Sequence, residues 1–380
     1  MMRWCWAAMV CWLPLTLLAG KQPLAKDIDL VAKQGRGSAE GRSAWERLSG
    51  AGPEALLPIL RALNGIDTPA ANWLRAALDR IVEHEQTKGK RLPVDELLAF
   101  ARDAKQPGRA RRLALDLVEQ QNPGTSEKQF PLWLDDPEFR FEAVAVTLAK
   151  GRQLLKQGGG GAAVQIVRQA LTASRDLQQA RDAAATLEPI GIKVSVGAHL
   201  GFLMDWYLIG PFDGSGQKGF HLSYSPEKKV DLKEELAGQG GKKLRWVRYR
   251  VTEPSHTSGA RHQALVSLRD KDALGDADDA VAFAYTQFTV AKASEVEFRG
   301  AADDNFTVWV NGVRVFGFEE WRNGVRHDRH RFKATLKEGK NAVLVKICQT
   351  PAPNPEPNWE FFLRVVDTTG KGIAMKKALP

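Results

Sequence analysis

Asp303, Asp304 and Asn305 bring two carboxylates and an amide together in three consecutive positions. Hard oxygen donors of this kind are what calcium takes, and a bound calcium can in turn grip sugar hydroxyls. The same residues favour turns, because Asp and Asn side chains bond their own backbone, so a turn and a calcium site both stay open here. A second group follows in E-E-W-R-N-G, residues 319–324. The apolar face of a pyranose packs on an aromatic ring while its hydroxyls need charged or amide partners, which Trp321, Arg322 and Asn323 would supply. Trp321 stands in a polar stretch and has the better claim to exposure, whereas Trp309, on an alternating run, is expected in the core. Candidate ligand-binding residues are therefore Trp321, Arg322, Asn323, Asp303 and Asp304, the last two also as calcium ligands. No other cofactor is expected.

Other constellations lack the surroundings their chemistry needs. Gly214-Ser215-Gly216-Gln217-Lys218-Gly219 matches the dinucleotide fingerprint letter for letter. That motif works by turning a strand into a helix whose N-terminus faces pyrophosphate. Pro211 before it and F-H-L-S-Y-S-P after it leave no room for the helix, so a surface loop is expected. His327 and His330 have a spacing that suits one face of a helix, yet they lead into a strand, where they point opposite ways. Glu319-Glu320 and Asp278-Asp279 are neighbours on one loop and cannot flank a glycosidic bond from opposite sides. With no nucleophile elbow, metal-protease helix or Cys–His arrangement of readable spacing, the chain is expected to be non-enzymatic, without catalytic residues.

The elements that would position these residues change type along the chain. Over about 43–188, apolar residues recur at helical spacing between Pro and Gly breaks: Leu56, Leu60 and Leu63 after Pro53, then Trp73, Ala77 and Ile81 after Pro69. Pro58 predicts a kink or a later helix start in the first of these runs. Short amphipathic helices cannot bury themselves singly and should stack in antiparallel pairs. From Phe202 the period becomes two, which predicts strands at 205–209, 244–251, 264–268, 280–290, 295–300, 306–310, 313–316, 329–336, 342–347 and 359–366. Asn311-Gly312 separates two of them as a type I′ hairpin requires. The fold class is thus multidomain α + β, an N-terminal α-helical region followed by an antiparallel β-sandwich or jelly roll. Its expected parts are a signal peptide (1–25), the helical domain (26–190), a linker (191–202), the sandwich (203–370) and a tail (371–380).

The signal peptide rests on Arg3 followed by an apolar run over 4–19, interrupted by Pro14 and Thr16 and too short for the roughly 20 residues that span a bilayer. Export to the periplasm, envelope or medium is expected, with no transmembrane anchor once the signal is removed. Cys5 and Cys11 lie inside it, which leaves Cys348 alone, unable to form an internal disulfide and expected as a buried small hydrophobe. The net charge of +9 is scattered, and clusters such as Lys88–Arg91 and Arg109–Arg112 flank helices as solvated faces, so nucleic acid is not an expected partner.

Leu134 to Gly151, L-D-D-P-E-F-R-F-E-A-V-A-V-T-L-A-K-G, resembles a HEAT-like repeat with its Asp-Pro turn and following Arg, and A-N-W-L-R-A-A-L-D-R-I-V at 71–82 is similar to an inner helix of another unit. D-D-N-F-T-V-W-V-N-G-V-R-V with the later L-K-E-G-K-N-A-V-L-V-K-I resembles the galactose-binding-like jelly roll, including the sugar-binding domain of family 2 glycoside hydrolases. The Asp303-Asp304 pair is also similar to that of the protective-antigen-type lectin domain, in which adjacent aspartates bind calcium. W-Y-L-I-G-P-F-D at 206–213 resembles exported proteins of planctomycete-like bacteria. These resemblances imply an exported binding protein that recognises carbohydrate or another cell-envelope component, with helical repeats as a protein-interaction scaffold. The alternative is a structural or assembly protein of the envelope that makes protein–protein contacts only.

Overall fold

A computed structural model describes residues 21–35, 37–253, 264–321, 324–352 and 358–379. Residues 1–20 of the expected signal peptide, together with Arg322 and Asn323, lie outside the described residues. The chain divides into two compact units, Met1–Val146 and Thr147–Pro380.

The first unit is helical: α1 (Lys21–Gln34), α2 (Ala39–Ser49), α3 (Leu56–Ala62), α4 (Thr68–Thr87), α5 (Val94–Arg102), α6 (Gly108–Gln121), α7 (Thr125–Gln129) and the start of α8 (Arg140–Lys156). Pro53 opens a 3-10 turn and α3 begins after it, with Pro58 in its first turn, where the missing N–H costs nothing. Asp67 caps α4 by accepting from the Ala70 N–H at 2.8 Å. The apolar faces of these helices close on one core that includes Leu56, Ile59, Leu74, Leu78, Leu97, Val118 and Phe139. Their lengths run from 5 to 20 residues without a fixed repeat. The basic cluster at 109–112 is not a solvated face. Arg111 is buried, donating to Ala101 O at 2.8 Å and to Asp136 Oδ2 at 2.5 Å, and Arg112 pairs with Glu138 and Glu142.

The second unit takes the C-terminal part of α8 from Thr147 and continues with α9 (Gly160–Ala173), α10 (Leu177–Leu187) and α11 (Val196–Leu200). Its strands are β1 (Asp205–Asp213), β2 (Leu236–Ala237), β3 (Lys243–Leu244), β4 (Val247–Arg250), β5 (Val266–Ser267), β6 (Ala280–Val290) and β7 (Ser294–Asp303). They continue as β8 (Phe306–Val310), β9 (Val313–Phe318), β10 (His330–Leu336), β11 (Gly339–Gln349), β12 (Glu360–Val366) and β13 (Lys376–Lys377). Each strand expected from the alternation overlaps an observed one. The large sheet runs β4-β1-β6-β11-β8-β9, with β13 also on β6, and the small one runs β10-β7-β12-β5. All their pairings are antiparallel, and alternate residues of both sheets, among them Trp206, Phe288, Phe298, Val308, Val345 and Phe361, meet in one core between the layers.

Each outer face has its own cover. On the small sheet, Ala301 and Phe362 pack against Ala180 and Ala184 of α10 and Val196 and Leu200 of α11. The stretch expected as a linker over 191–202 therefore contains a helix bound to the sandwich, because its apolar residues have a sheet face to cover. On the large sheet, an excursion over 214–244, with α12 (Ser225–Lys228) and the β2–β3 ribbon, lays Phe220, Tyr224, Val230 and Leu236 over Ile209, Phe212, Val281 and Phe283. Lys346 is buried beneath it, its ammonium donating to Phe220 O, Leu222 O at 2.6 Å and Glu227 at 2.8 Å. The glycine-rich stretch 214–219 forms a turn. There the Asp279 carboxylate accepts from the Gly216 and Gln217 N–H groups, so one member of the Asp278-Asp279 pair serves as a loop clamp.

Candidate functional site

Asp303 ends β7 opposite Glu360 of β12, and a cis peptide bond joins it to Asp304. The pair is buried, with 3% and 2% of its surface exposed, and Asn305 beside it has none exposed. Asp304 Oδ2 accepts from Thr350 N at 2.8 Å and from Thr350 Oγ1 at 2.5 Å, fixing that carboxylate against the end of β11. Asn305 Oδ1 accepts the Glu320 N–H and so ties the loop carrying Trp321 to the same turn. Burial first, then the hydrogen bond and charge of Asp304 and the charge of Glu360, push the Asp303 carboxyl up to about 8. Among the described residues no cationic side chain forms an ion pair with Asp303.

Among the described residues several buried groups next to the pair have no partner: Asn305 Nδ2, both amide atoms of Gln349 and the Trp359 Nε1. Gln349 precedes Thr350 and Trp359 precedes Glu360, so these groups adjoin the residues that touch or face the carboxylates. An unsatisfied buried polar group costs about 1–3 kcal/mol, which makes a cluster of them a mark of a site rather than of a framework. The two aspartates fit a hard cation in chemistry, being oxygen donors held side by side, with the charge of Asp304 helping to raise the Asp303 carboxyl. Among the described residues no three His, Cys, Asp or Glu side chains converge on a metal position, so backbone, amide or solvent oxygens would complete the shell.

Trp321 is half-buried, packed in the cluster that contains Phe283, Leu344 and Cys348, and its Nε1 donates to Glu319 Oε1 at 3.3 Å. Trp309 belongs to the same outer-face cluster and is half-buried rather than enclosed between the sheets. Glu319 also faces His221 Nε2 at 3.0 Å, and Glu320 pairs with Arg329. His327 lies on the Phe362 ring with centroids 4.5 Å apart, and His330 sits among Phe306, Phe316 and Phe318, so both rings act as aromatic packing. Cys348 is buried and its thiol is pushed up to about 12, first by burial, as an inert small hydrophobe would be. The structure thus brings together Asp303, Asp304 and, through Asn305, the loop of Trp321. Thr350, Gln349 and Glu360 were not legible as site residues, since they are distant in sequence and reach the pair only through the pairing of β11 and β12.

No protein-family model matches the chain, and no curated protein matches it. Three solved structures are partly similar to it. A family 2 β-galacturonidase from Eisenbergiella tayi has a TM-score of 0.23 at 11% identity, over 43% of this chain and 25% of that one. A β-glucuronidase from an uncultured Clostridium sp. has 0.25 at 11%, over 44% and 29%. A β-glucosidase from Kluyveromyces marxianus has 0.20 at 9%, over 80% and 35%. The chain spans about a quarter to a third of the length of these proteins, and TM-scores this low carry no argument about what it does.

Proposed function

We propose that the protein is an exported, non-enzymatic binding protein that recognises carbohydrate, or another component of the cell envelope, through the loop end of its β-sandwich. The helical unit, read as HEAT-like, would be its scaffold for protein contacts. The observation that carries this reading is the buried Asp303-Asp304 pair, with Asp303 raised to about 8 and, beside it, polar groups that have no partner among the described residues. Asp303 and Asp304 would hold a calcium ion, whose role when bound is to take sugar hydroxyls into its coordination shell. Trp321 would supply an apolar ring edge, and Arg322 and Asn323 polar partners. The acidic pair Glu319-Glu320 is engaged by His221 and Arg329, which favours recognition over acid–base chemistry.

Calcium titration followed by calorimetry tests the site. Binding to the folded state alone stabilises by about 2.7 kcal/mol at a hundredfold excess over the dissociation constant, so the melting temperature should rise with calcium in the wild type and stay constant in Asp303→Asn. Glycan retention should fall on chelation and in Trp321→Ala. Retention indifferent to chelator would retire the calcium, and retention unchanged in Trp321→Ala would retire that residue.

One observation favours the assembly reading. In the helical unit Leu132 and Phe141 are 73% and 59% exposed, the kind of large apolar surface that protein partners cover. Capture of a defined envelope protein that free sugars do not displace would decide for it.

A further inference from the structure

Two segments cross from the small sheet to the large one, and a cleft lies between them. β11 runs along one edge of β6 from Ala280 to Val290, whereas β1 follows the other edge only as far as Tyr285. Before β1 the chain is bound to the small sheet, where the Leu203 N–H donates to Leu363 O at 2.9 Å. The C-terminal segment makes the same crossing. Its Ile373 N–H donates to Val365 O at 3.2 Å, and β13 then pairs with Phe288 and Thr289 of β6. The large sheet is therefore open on this edge of β6 between the end of β1 pairing and the start of β13 pairing.

The cleft at this gap measures about 710 Å³ and runs beside residues 286–291, which as extended chain span about 17 Å. It reaches the layer between the sheets. Phe288 and Val290 line it from the core face of β6, and Met204, Ile373 and Met375, half-buried on the same core, line it from the crossing segments. Thr286 also lines it, 4% exposed, with a hydroxyl that makes no hydrogen bond among the described residues. The charged groups at the cleft are three cations and two carboxylates, and both carboxylates are engaged. Lys377 reaches Asp205 at 2.7 Å and Arg250 reaches it at 3.8 Å, while Glu253 accepts from the Gly197 N–H. The Lys376 ammonium is exposed and, among the described residues, in no ion pair.

We infer that this cleft binds a small amphipathic carboxylate, an acyl chain bearing an oxygen function, with its carboxylate at Lys376, its chain among Met204, Phe288 and Met375, and its oxygen at Thr286. An apolar interior with a few placed polar groups is the usual build of a small-molecule site, and a volume of this size suits one. Methionine is unbranched and polarizable, so two of them in the walls adapt to a flexible chain better than to a rigid ring. The open ammonium at the mouth selects an anionic head. The buried, unpartnered hydroxyl calls for a polar atom on the part of the ligand that enters, which a plain alkyl chain lacks. A peptide strand is a poorer occupant, because Gln287 O, the acceptor it would need at the gap, already takes the Ala378 N–H at 3.2 Å. The cleft shares no residue with the Asp303-Asp304 turn and is independent of calcium there.

Calorimetric titration of the full chain with 10-hydroxydecanoate, decanoate and decylamine tests it. The hydroxy acid should bind the wild type about fivefold more tightly than decanoate, and Thr286→Val, which keeps the side-chain shape, should erase that advantage. Lys376→Glu, at an exposed position, should weaken both acids about tenfold and leave decylamine no weaker. Met375→Gln, similar in length but polar, should weaken both acids as well. An unaltered far-ultraviolet spectrum keeps the comparison among folded proteins. Decylamine bound as tightly as decanoate by the wild type would remove the anionic head, and decanoate bound as tightly as the hydroxy acid would remove the role of Thr286; either overturns the inference. So does binding that survives both Lys376→Glu and Met375→Gln, or the absence of binding by either acid. Sedimentation with phosphatidylglycerol vesicles, without binding of the free acids, would make the cleft a membrane contact and overturn it too. Asp303→Asn should bind the acids as the wild type does, so failure of the calcium site and failure of this one are read separately.

Discussion

Asp328 shows how much a single side chain can hold in this sandwich. Burial pushes its carboxyl up, but the hydrogen bond and charge of Arg364, joined by the charge of Arg299, outweigh that and hold it below the usual carboxylate range. It accepts from Arg364 Nε at 2.8 Å, and Arg364 is itself buried against the Phe202 ring. Asp328→Asn keeps the side-chain shape and tolerates the positive φ of 53° at this position, so its effect isolates the charge. Leaving a buried guanidinium without its counter-ion should cost about 3–5 kcal/mol at neutral pH. Because the folded carboxyl titrates below its unfolded value near 4, its stabilising contribution is complete above that value and fades as pH falls through the folded one. Denaturant unfolding of the two proteins should therefore differ at pH 7 and converge toward about pH 2; a difference constant with pH would refute the assignment. His327 and His330 teach the complementary lesson. Their spacing was visible in the chain, but that His327 packs from a loop on Phe362 and His330 meets Phe316 of the other sheet follows from tertiary packing, which spacing does not encode.

The β8–β9 hairpin was the most legible element, and its physics explains why. Asn311 and Gly312 have φ of 52° and 83°, the left-handed pair that a type I′ turn demands and that Asn-Gly adopts at least cost. Less visible was the partner of this turn. Asn311 Nδ2 donates to Asn341 Oδ1 at 2.9 Å and Asn311 Oδ1 accepts from Ala342 N at 3.0 Å, while Asn341 Nδ2 donates to Lys337 O at 2.8 Å. The Asn-Gly turn and the Gly-x-Asn turn are thus one clamp, made by residues that face each other across β8 and β11. Gly312→Ala should cost about 1–2 kcal/mol from the left-handed backbone alone. Asn341→Ala strands several buried backbone and amide groups at about 1–3 kcal/mol each and should shift the urea midpoint further than Gly312→Ala does. The reverse order would mean that the two turns act separately.

At the level of the whole chain, composition and packing mark different boundaries. The change from helical to alternating pattern after residue 190 shows where strands begin, but the cores divide at Val146, because α10 and α11 turn their small apolar residues onto the outer face of the small sheet. Periodicity gives the apolar face of a helix without saying which surface it covers, so Ala184 looked like part of the helical domain and is buried against the sandwich. Substitutions in helices on either side of that boundary should therefore act on different units. Leu78→Ala, deep in the first core, removes enough buried volume to cost about 2–5 kcal/mol there. Ala184→Asp places a carboxylate among Ala180, Leu200 and Phe362, a burial that costs several kcal/mol without a partner. At about 2–4 °C per kcal/mol for units of this size, each variant should displace a calorimetric transition visibly. The transition moved by Ala184→Asp should be the one also moved by Asn341→Ala, and Leu78→Ala should move the other. If Ala184→Asp instead moved with Leu78→Ala, α10 would belong to the helical core and the sandwich would lack the cover that its buried Ala301 and Phe362 require.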